Sequence, residues 1–278
     1  MSAKEPSLLI LVPAYNEEQR IEPVLRGYAQ YFQKEYRGKF QIVVVLNGCR
    51  DNTLGVVQAV AKEFPAISAL EFKEPIGKGG ALIEGLRLAP LGDYIGYVDA
   101  DGASSPEAFH ALVKQMHKAD CVIGSRWLEG AVLHQAQPWL RRLTSRTFHL
   151  IVEILFWMDI KDTQCPCKVM RRECVEKIHS SLRIADLAFD VNLLVSLRRA
   201  GFRVLEVPTE WTDQAGSKVT SSLFRSSLTM FLSVVRIRLI YSPFYRLLRT
   251  LRPLEAWVYR KLRAPAPRAV GDTDKKPH

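Results

Sequence analysis

The chain is expected to fold as an α/β protein around a doubly wound, mostly parallel sheet. Two observations predict this. Short β-branched or leucine runs read as strands buried on both faces, and helix-periodic segments alternate with them through the first 125 residues. A third is composition: 47% hydrophobic and 24% charged residues over 278 positions can bury a large core, which excludes global disorder.

The elements follow in order. Leu8–Val12 is the first strand, and Glu17–Lys34 then spaces Ile21, Val24, Leu25, Tyr28 and Phe32 as a helix does. Gln41–Leu46 is the second strand, Thr53–Phe64 the second helix, Ile67–Phe72 the third strand and Ala81–Ala89 the third helix. Tyr94–Val98 follows as a strand, Pro106–Lys118 as a helix opened by proline, and Cys121–Ile123 as a fifth strand. Such an order places ligands at the carboxyl ends of the strands. Further on, Trp139–Met158 and Leu187–Arg199 read as helices, Asp159–Lys168 as a polar turn, Phe202–Val207 as a strand and Glu210–Lys218 as a polar loop. The Pro-rich, charged residues 264–278 are expected to be disordered.

Charge is unevenly spread. The net charge is +10, and from Ser217 onward thirteen Lys or Arg face three acidic residues, which leaves residues 1–216 neutral. A neutral body with a cationic appendage is poorly suited to binding nucleic acid throughout, so no nucleic-acid partner is expected. The five cysteines are odd in number and form no CxxC pair, so they read as inert buried or surface thiols. Residues 1–7 are polar and no signal peptide follows, which points to a reducing, cytosolic setting. No run reaches the roughly 20 apolar residues of a membrane span.

Two motifs carry chemistry. In Asp99-Ala100-Asp101, after the fourth strand, residues i and i+2 project to one side, and two hard carboxylates there suit Mg²⁺ or Mn²⁺ bridging to a phosphate. A DxD pair in isolation is also what a solvated turn produces; its position is what favours the metal. Pro13-Ala14-Tyr15-Asn16-Glu17 ends the first strand and admits two readings: a turn proline with acidic residues at a helix start, or a nucleotide-base pocket with Tyr15 as a π-face and Glu17 as an acceptor.

Five ordered motifs over roughly residues 7–218 resemble the family-2 glycosyltransferases of the GT-A fold: Val12 to Glu17, Asn47-Gly48 with Asp51-Asn52-Thr53, Gly77-Lys78-Gly79-Gly80-Ala81, Asp99 to Ala103, and Gly124-Ser125-Arg126. The third and fourth motifs together with Asp162-Thr163-Gln164-Cys165 look like the branch that glycosylates polyprenyl phosphates, most of all dolichyl-phosphate glucosyltransferases.

The resemblance implies that Pro13, Tyr15 and Glu17 line the base and ribose site, that Lys78 approaches the nucleotide, that Asp99 contacts ribose or metal and that Asp101 ligates the metal. It also implies that Arg126 pairs with phosphate, with Arg141, Arg142 and Arg146 as further cations and Gln164 in the substrate site. Lys218 matches a loop that closes over the pyrophosphate. Asn47 stands where relatives carry an acidic residue, and can still hydrogen-bond a base edge. Asp162 and Asp190 are the carboxylates to test for acceptor positioning or base work, although Asp190, at a helix start, also suits a cap.

The implied activity is inverting, metal-dependent transfer from a nucleotide-sugar donor, UDP-glucose first, to a polyprenyl or dolichyl phosphate. The alternatives are a soluble acceptor, GDP-mannose as donor, and a nucleotide-binding scaffold with a dead site. Three regions are expected: a catalytic domain over 1–218, basic amphipathic helices over 219–263, and a tail over 264–278. In Ser221–Tyr241, Phe224, Leu228, Phe231, Leu232, Val235 and Leu239 share a face that Val234, Met230, Ile237 and Leu223 widen, opposite Arg225, Thr229, Ser233 and Arg236, with Arg238 as the misfit. That helix, with the aromatic and basic residues after Phe244, suits peripheral, monotopic binding to an anionic membrane surface on its cytoplasmic face. A helix packed against the catalytic body is the competing reading.

Overall fold

Seven strands form the central sheet in the order β3-β2-β1-β4-β7-β5-β8. This computed structural model describes residues 5–134, 139–212, 223–242 and 250–261. The strands are β1 (Leu8–Ala14), β2 (Phe40–Asn47), β3 (Ile67–Phe72), β4 (Tyr94–Tyr97), β5 (Cys121–Ser125), β7 (Lys168–Arg171) and β8 (Val204–Pro208), and a separate pair joins β6 (Val132–Leu133) to β9 (Glu210–Trp211). All central pairings are parallel except those of β7, which lies antiparallel between β4 and β5.

The helices are α1 (Ile21–Glu35), α2 (Thr53–Glu63), α3 (Lys78–Gly85), α4 (Pro106–Lys114), α5 (Trp139–Phe156), α6 (Arg172–Ile178), α7 (Phe189–Arg199), α8 (Leu223–Ile240) and α9 (Arg252–Lys261). Two apolar layers cover the sheet. Leu25, Phe32, Val57, Val60, Phe109 and Leu112, from α1, α2 and α4, fill one. Leu82, Val152, Val175, Leu194, Val234 and Ile237, from α3, α5, α6, α7 and α8, fill the other. β1 is buried along its whole length, as a central parallel strand must be.

The alternating strands and helices lie largely where the sequence placed them, with corrections: α6 and the β6–β9 pair have no counterpart among the expected elements, and Glu210–Trp211 is a strand where a polar loop is expected. The third helix begins at Lys78, so the motif Gly77-Lys78-Gly79-Gly80 caps and opens it, and Leu86–Leu91 continues as a 3-10 turn. The polar turn ends at Lys168, which begins β7, a strand that four residues bounded by two basic ones could not announce. Of the cysteines, Cys121, Cys165, Cys167 and Cys174 are buried and free, and burial pushes the Cys165 thiol up to about 12. They are the inert thiols expected.

α8 packs against α5 and α7. Its buried stripe is the more polar one: Thr229, Ser233 and Arg236 are buried beside Val234 and Ile237, and Ser233 Oγ donates to Asp186 Oδ2 at 2.5 Å. On the opposite face Phe231 is 41% exposed. The helix thus packs on the body, with Phe231 exposed and Leu228, Leu232, Val235 and Leu239 half-buried. No described helix is long and apolar enough to cross a membrane. The tail over 264–278 lies outside the described residues.

Candidate active site

Parallel pairing brings the carboxyl ends of β1, β2, β4 and β5 to one edge, and the antiparallel β7 contributes its first residue there, with Lys168 in register with Tyr97. The loops after β1 and β2 lock to each other. Glu17 N–H donates to Thr53 Oγ1 at 2.8 Å, Asn52 N–H to Glu18 at 2.6 Å, and Arg50 N–H to Asn16 Oδ1 at 2.7 Å, with Asn16 in the left-handed region at φ 54°. This lock holds Pro13 buried at the strand end and leaves the Tyr15 ring 42% exposed at the edge. The Glu17 carboxylate is shared with Arg20, whose Nε donates to it at 2.8 Å.

Asn47 has a structural task. Its Oδ1 accepts from Ile76 N–H at 2.7 Å and so tethers the loop that leads into Lys78. The glycines there serve packing more than ligand approach. Gly77 takes φ 78°, and a Cβ on Gly79 would lie 2.5 Å from the Ile184 carbonyl oxygen. Gly80 N–H donates to Ala185 O at 3.1 Å and completes the contact.

Lys78 reaches the DxD pair: its ammonium lies 2.6 Å from Asp99 Oδ1. Burial alone would lower its pKa, but Asp99, Asp190 and Asp101 together raise it, so it is cationic at neutral pH. Asp101 Oδ1 accepts from Ala103 N–H at 3.0 Å. Burial, then the neighbouring Asp99 carboxylate, pushes Asp101 up from the usual carboxylate range. Two carboxylates on one strand end form an oxygen-donor set a divalent cation would stabilise, and Asp99 and Asp101 are the residues that would hold it.

Arg126 and Asp162 form a closed clamp. Arg126 Nε and Nη2 donate to the two Asp162 oxygens at 2.8 and 3.0 Å, and Arg126 N–H donates to Oδ2 at 2.9 Å. The guanidinium lies 5.0 Å from the Trp211 ring centroid. Burial would raise the Asp162 pKa, but Arg126 more than offsets it and holds the carboxyl below its usual range. The fork expected on a phosphate is therefore occupied, and Asp162 is a paired anion and a poor base. Replacing Arg126 with lysine keeps the charge and loses the fork, so a loss of about 1.5–3 kcal/mol in urea unfolding is expected. An unchanged midpoint with a raised KM would instead place Arg126 on substrate.

Asp190 is neither cap nor free base. It is buried in the first turn of α7, where the cap residue is Ala188, and its Oδ1 accepts from Tyr97 Oη and from Lys168 Nζ, each at 2.5 Å. Burial, then Asp190, lifts the Tyr97 hydroxyl well above its ordinary value, so it stays a donor. Lys168 is fully buried, and its ammonium also donates to the Cys165 and Thr163 carbonyls at 2.6 and 3.3 Å. Sequence reasoning missed Lys168; its only signal was a lysine directly after Cys167 and before the apolar Val169-Met170.

Other expected residues fall less centrally. Gln164 is half-buried in the loop before β7, and the exposed Arg146 guanidinium lies 5.6 Å from the Trp127 ring centroid. The side chains of Arg141 and Arg142, and all of Lys218, lie outside the described residues.

The model of the glycosyl transferase family 2 domain matches residues 9–179. A dolichyl-phosphate beta-glucosyltransferase of Dictyostelium discoideum is 34% identical over 246 residues, covering 84% of this chain and 74% of that protein. Another of Trichomonas vaginalis is 33% identical over 251 residues, covering 86% and 73%. Among solved structures, a glucosyl-3-phosphoglycerate synthase of Mycobacterium tuberculosis in complex with Mn²⁺, UDP and glucosyl-3-phosphoglycerate superposes with a TM-score of 0.64 at 17% identity, over 86% of this chain and 82% of that one. That fold, and a site built on the edge where Asp99, Asp101 and Lys78 meet, agree with the match in sequence: the chain belongs to glycosyl transferase family 2 and is a glycosyltransferase of the GT-A type.

Proposed function

We propose that the enzyme transfers glucose from UDP-glucose to a polyprenyl or dolichyl phosphate with inversion, forming a β-linked product. The observation that carries the acceptor is the state of the two carboxylates expected to serve as bases. Asp162 is closed by Arg126, and Asp190 by Lys168 and Tyr97. A hydroxyl acceptor would need a free base at this edge, whereas a phosphate oxygen is already anionic near neutral pH. The names of the relatives supply the sugar and the lipid.

A Mg²⁺ or Mn²⁺ ion at Asp99 and Asp101 would neutralise charge on the departing diphosphate. Lys78 adds a fixed cation beside the same pair, prearranged by the Asn47 tether and by α3. Tyr15 offers an exposed ring for the base, and Pro13 and Glu17 shape the strand exit beneath it.

Peripheral attachment to a cytoplasmic membrane surface completes the reading. Its support is Phe231 exposed on α8, together with Leu251, Leu254 and Trp257 exposed on and before the basic α9. Titration with metal present should show tighter binding of UDP-glucose than of GDP-mannose, and the full chain should float with anionic vesicles at low salt. Preference for GDP-mannose would overturn the donor, and a protein that stays in the soluble fraction would overturn the membrane reading in favour of a soluble acceptor.

A further inference from the structure

A second concave site lies at the far end of α7. Its volume is about 390 Å³, and its walls bring Arg198, Arg199 and Arg238 together with Trp157, Phe156 and Tyr241. α7 leads from Asp190 to Arg199, nine residues, which at the helical rise is roughly 13 Å away from the catalytic edge. α8 runs beside it in the same direction. Its Ser233 touches Asp186 near the catalytic edge, and beyond its end the Tyr241 hydroxyl meets Ser196 Oγ at 2.9 Å. The site is therefore separate from the donor edge.

Its chemistry is that of an anion with an apolar body. Three arginines line it, and no Asp or Glu is among its described lining residues. Arg198 Nη1 donates to the carbonyl oxygens of Phe156, at 3.3 Å, and Trp157, which fixes the guanidinium at the end of α5. The Arg199 guanidinium lies 4.5 Å from the Tyr241 ring centroid, a stacking that holds it at the wall. Arg238 is the cation that interrupts the apolar face of α8, and this site gives it a task.

The rim is unusual too. Trp157 takes φ 52°, a backbone state uncommon for an aromatic residue, and its N–H donates to Glu153 O at 2.7 Å to close α5. The result is an indole 81% exposed at the mouth of an arginine-lined site. Leu150 and Ile154, seven and three residues earlier, continue the exposed apolar stripe along α5.

We infer that Arg198, Arg199 and Arg238 form a headgroup site for the phosphodiester of an anionic glycerophospholipid, whose acyl chains lie along Leu150, Ile154 and Trp157. Guanidinium forks match phosphate oxygens, and an indole at the rim sits at headgroup depth. The inference rests on the membrane reading above but on neither the donor nor the acceptor. One bound headgroup would fix the rotation of the enzyme on the bilayer and hold the catalytic edge at a constant height above it.

The test compares flotation of the full chain on phosphatidylcholine vesicles with and without phosphatidylglycerol. Arg199→Gln/Arg238→Gln should lower partition onto the anionic vesicles at least about tenfold, since each arginine near an anionic leaflet contributes substantially. Lys34→Gln/Arg37→Gln, exposed residues of the opposite layer that remove the same charge, should change it little. Arg199→Lys/Arg238→Lys, which keeps charge without the fork, should fall between, and guards against a folding defect in the glutamine variant. Transfer to a short, water-soluble polyprenyl phosphate should be unaffected in all of them.

Equal losses in the pocket and control variants would reduce the effect to net charge and overturn the site. So would inorganic phosphate binding that wild type shows and the glutamine variant lacks while both float alike. If wild type floats and the glutamine variant floats equally, this inference fails alone. If wild type does not float, the membrane reading fails with it.

Discussion

Asp101→Asn is expected to lower kcat at least about 100-fold, or roughly 2.7 kcal/mol of transition-state stabilisation, without lowering stability. The amide keeps an oxygen for the Ala103 N–H but loses the negative charge that would hold a metal. Stability should follow the opposite course, because burial and Asp99 raise the Asp101 pKa above its unfolded value of about 4. For a carboxyl so shifted, the folded state binds more protons than the unfolded one. The metal-free wild type therefore loses stability as pH rises from the unfolded pKa through the raised folded one. The asparagine variant should not, and at neutral pH its metal-free unfolding midpoint should equal or exceed that of wild type. Retention of more than about a tenth of the wild-type rate, a gap of only about 1.4 kcal/mol, would remove Asp101 from the metal site.

The second large effect belongs to Lys168→Met. Methionine fills similar space but leaves Asp190 buried with Tyr97 alone, and removal of one partner of a buried pair costs about 3–5 kcal/mol. The double variant Lys168→Met/Asp190→Asn removes the stranded charge and should recover most of that loss. Urea unfolding of the two single variants and the double one gives the coupling. A cost below about 1 kcal/mol for Lys168→Met would mean that the ion pair does not hold β7 to α7. Asp190 also helps keep Lys78 protonated, so the double variant should remain folded while transferring more slowly.

Much of this was legible in the sequence because parallel strands buried on both faces are written as unbroken apolar runs. Leu8–Ala14 and, within β2, Ile42–Leu46 are of that kind, and the parallel pairing of β1 with β4 sends the DxD pair and the Tyr15 loop to one edge. β7 was not legible. It is four residues long, begins with a charge, and gains its place only by pairing with β4 and β5. With it went Lys168, whose ammonium is satisfied by Asp190 and by two carbonyls that no local pattern could have assigned.

The same limit explains Arg126 and Asn47. Residue type and motif position marked them as ligand groups, while the Asp162 carboxylate and the Ile76 amide that they bond in the structure come from loops 36 and 29 residues away. For α8 the body covers a stripe that mixes Thr229, Ser233 and Arg236 with Val234 and Ile237, and what it covers depends on Asp186 and Ser196, contributed by the segment that enters α7 and by α7 itself.

The central claim is a lipid-phosphate acceptor served without a protein base. Its most direct test is product formation from UDP-glucose and Mn²⁺ with three acceptors offered in turn: a short polyprenyl phosphate, the matching polyprenol, and 3-phosphoglycerate. The account predicts β-glucosyl transfer to the polyprenyl phosphate alone, lost on chelation of the metal. Transfer to the free alcohol, which needs a base to take its proton, or to phosphoglycerate at a comparable rate, would contradict it.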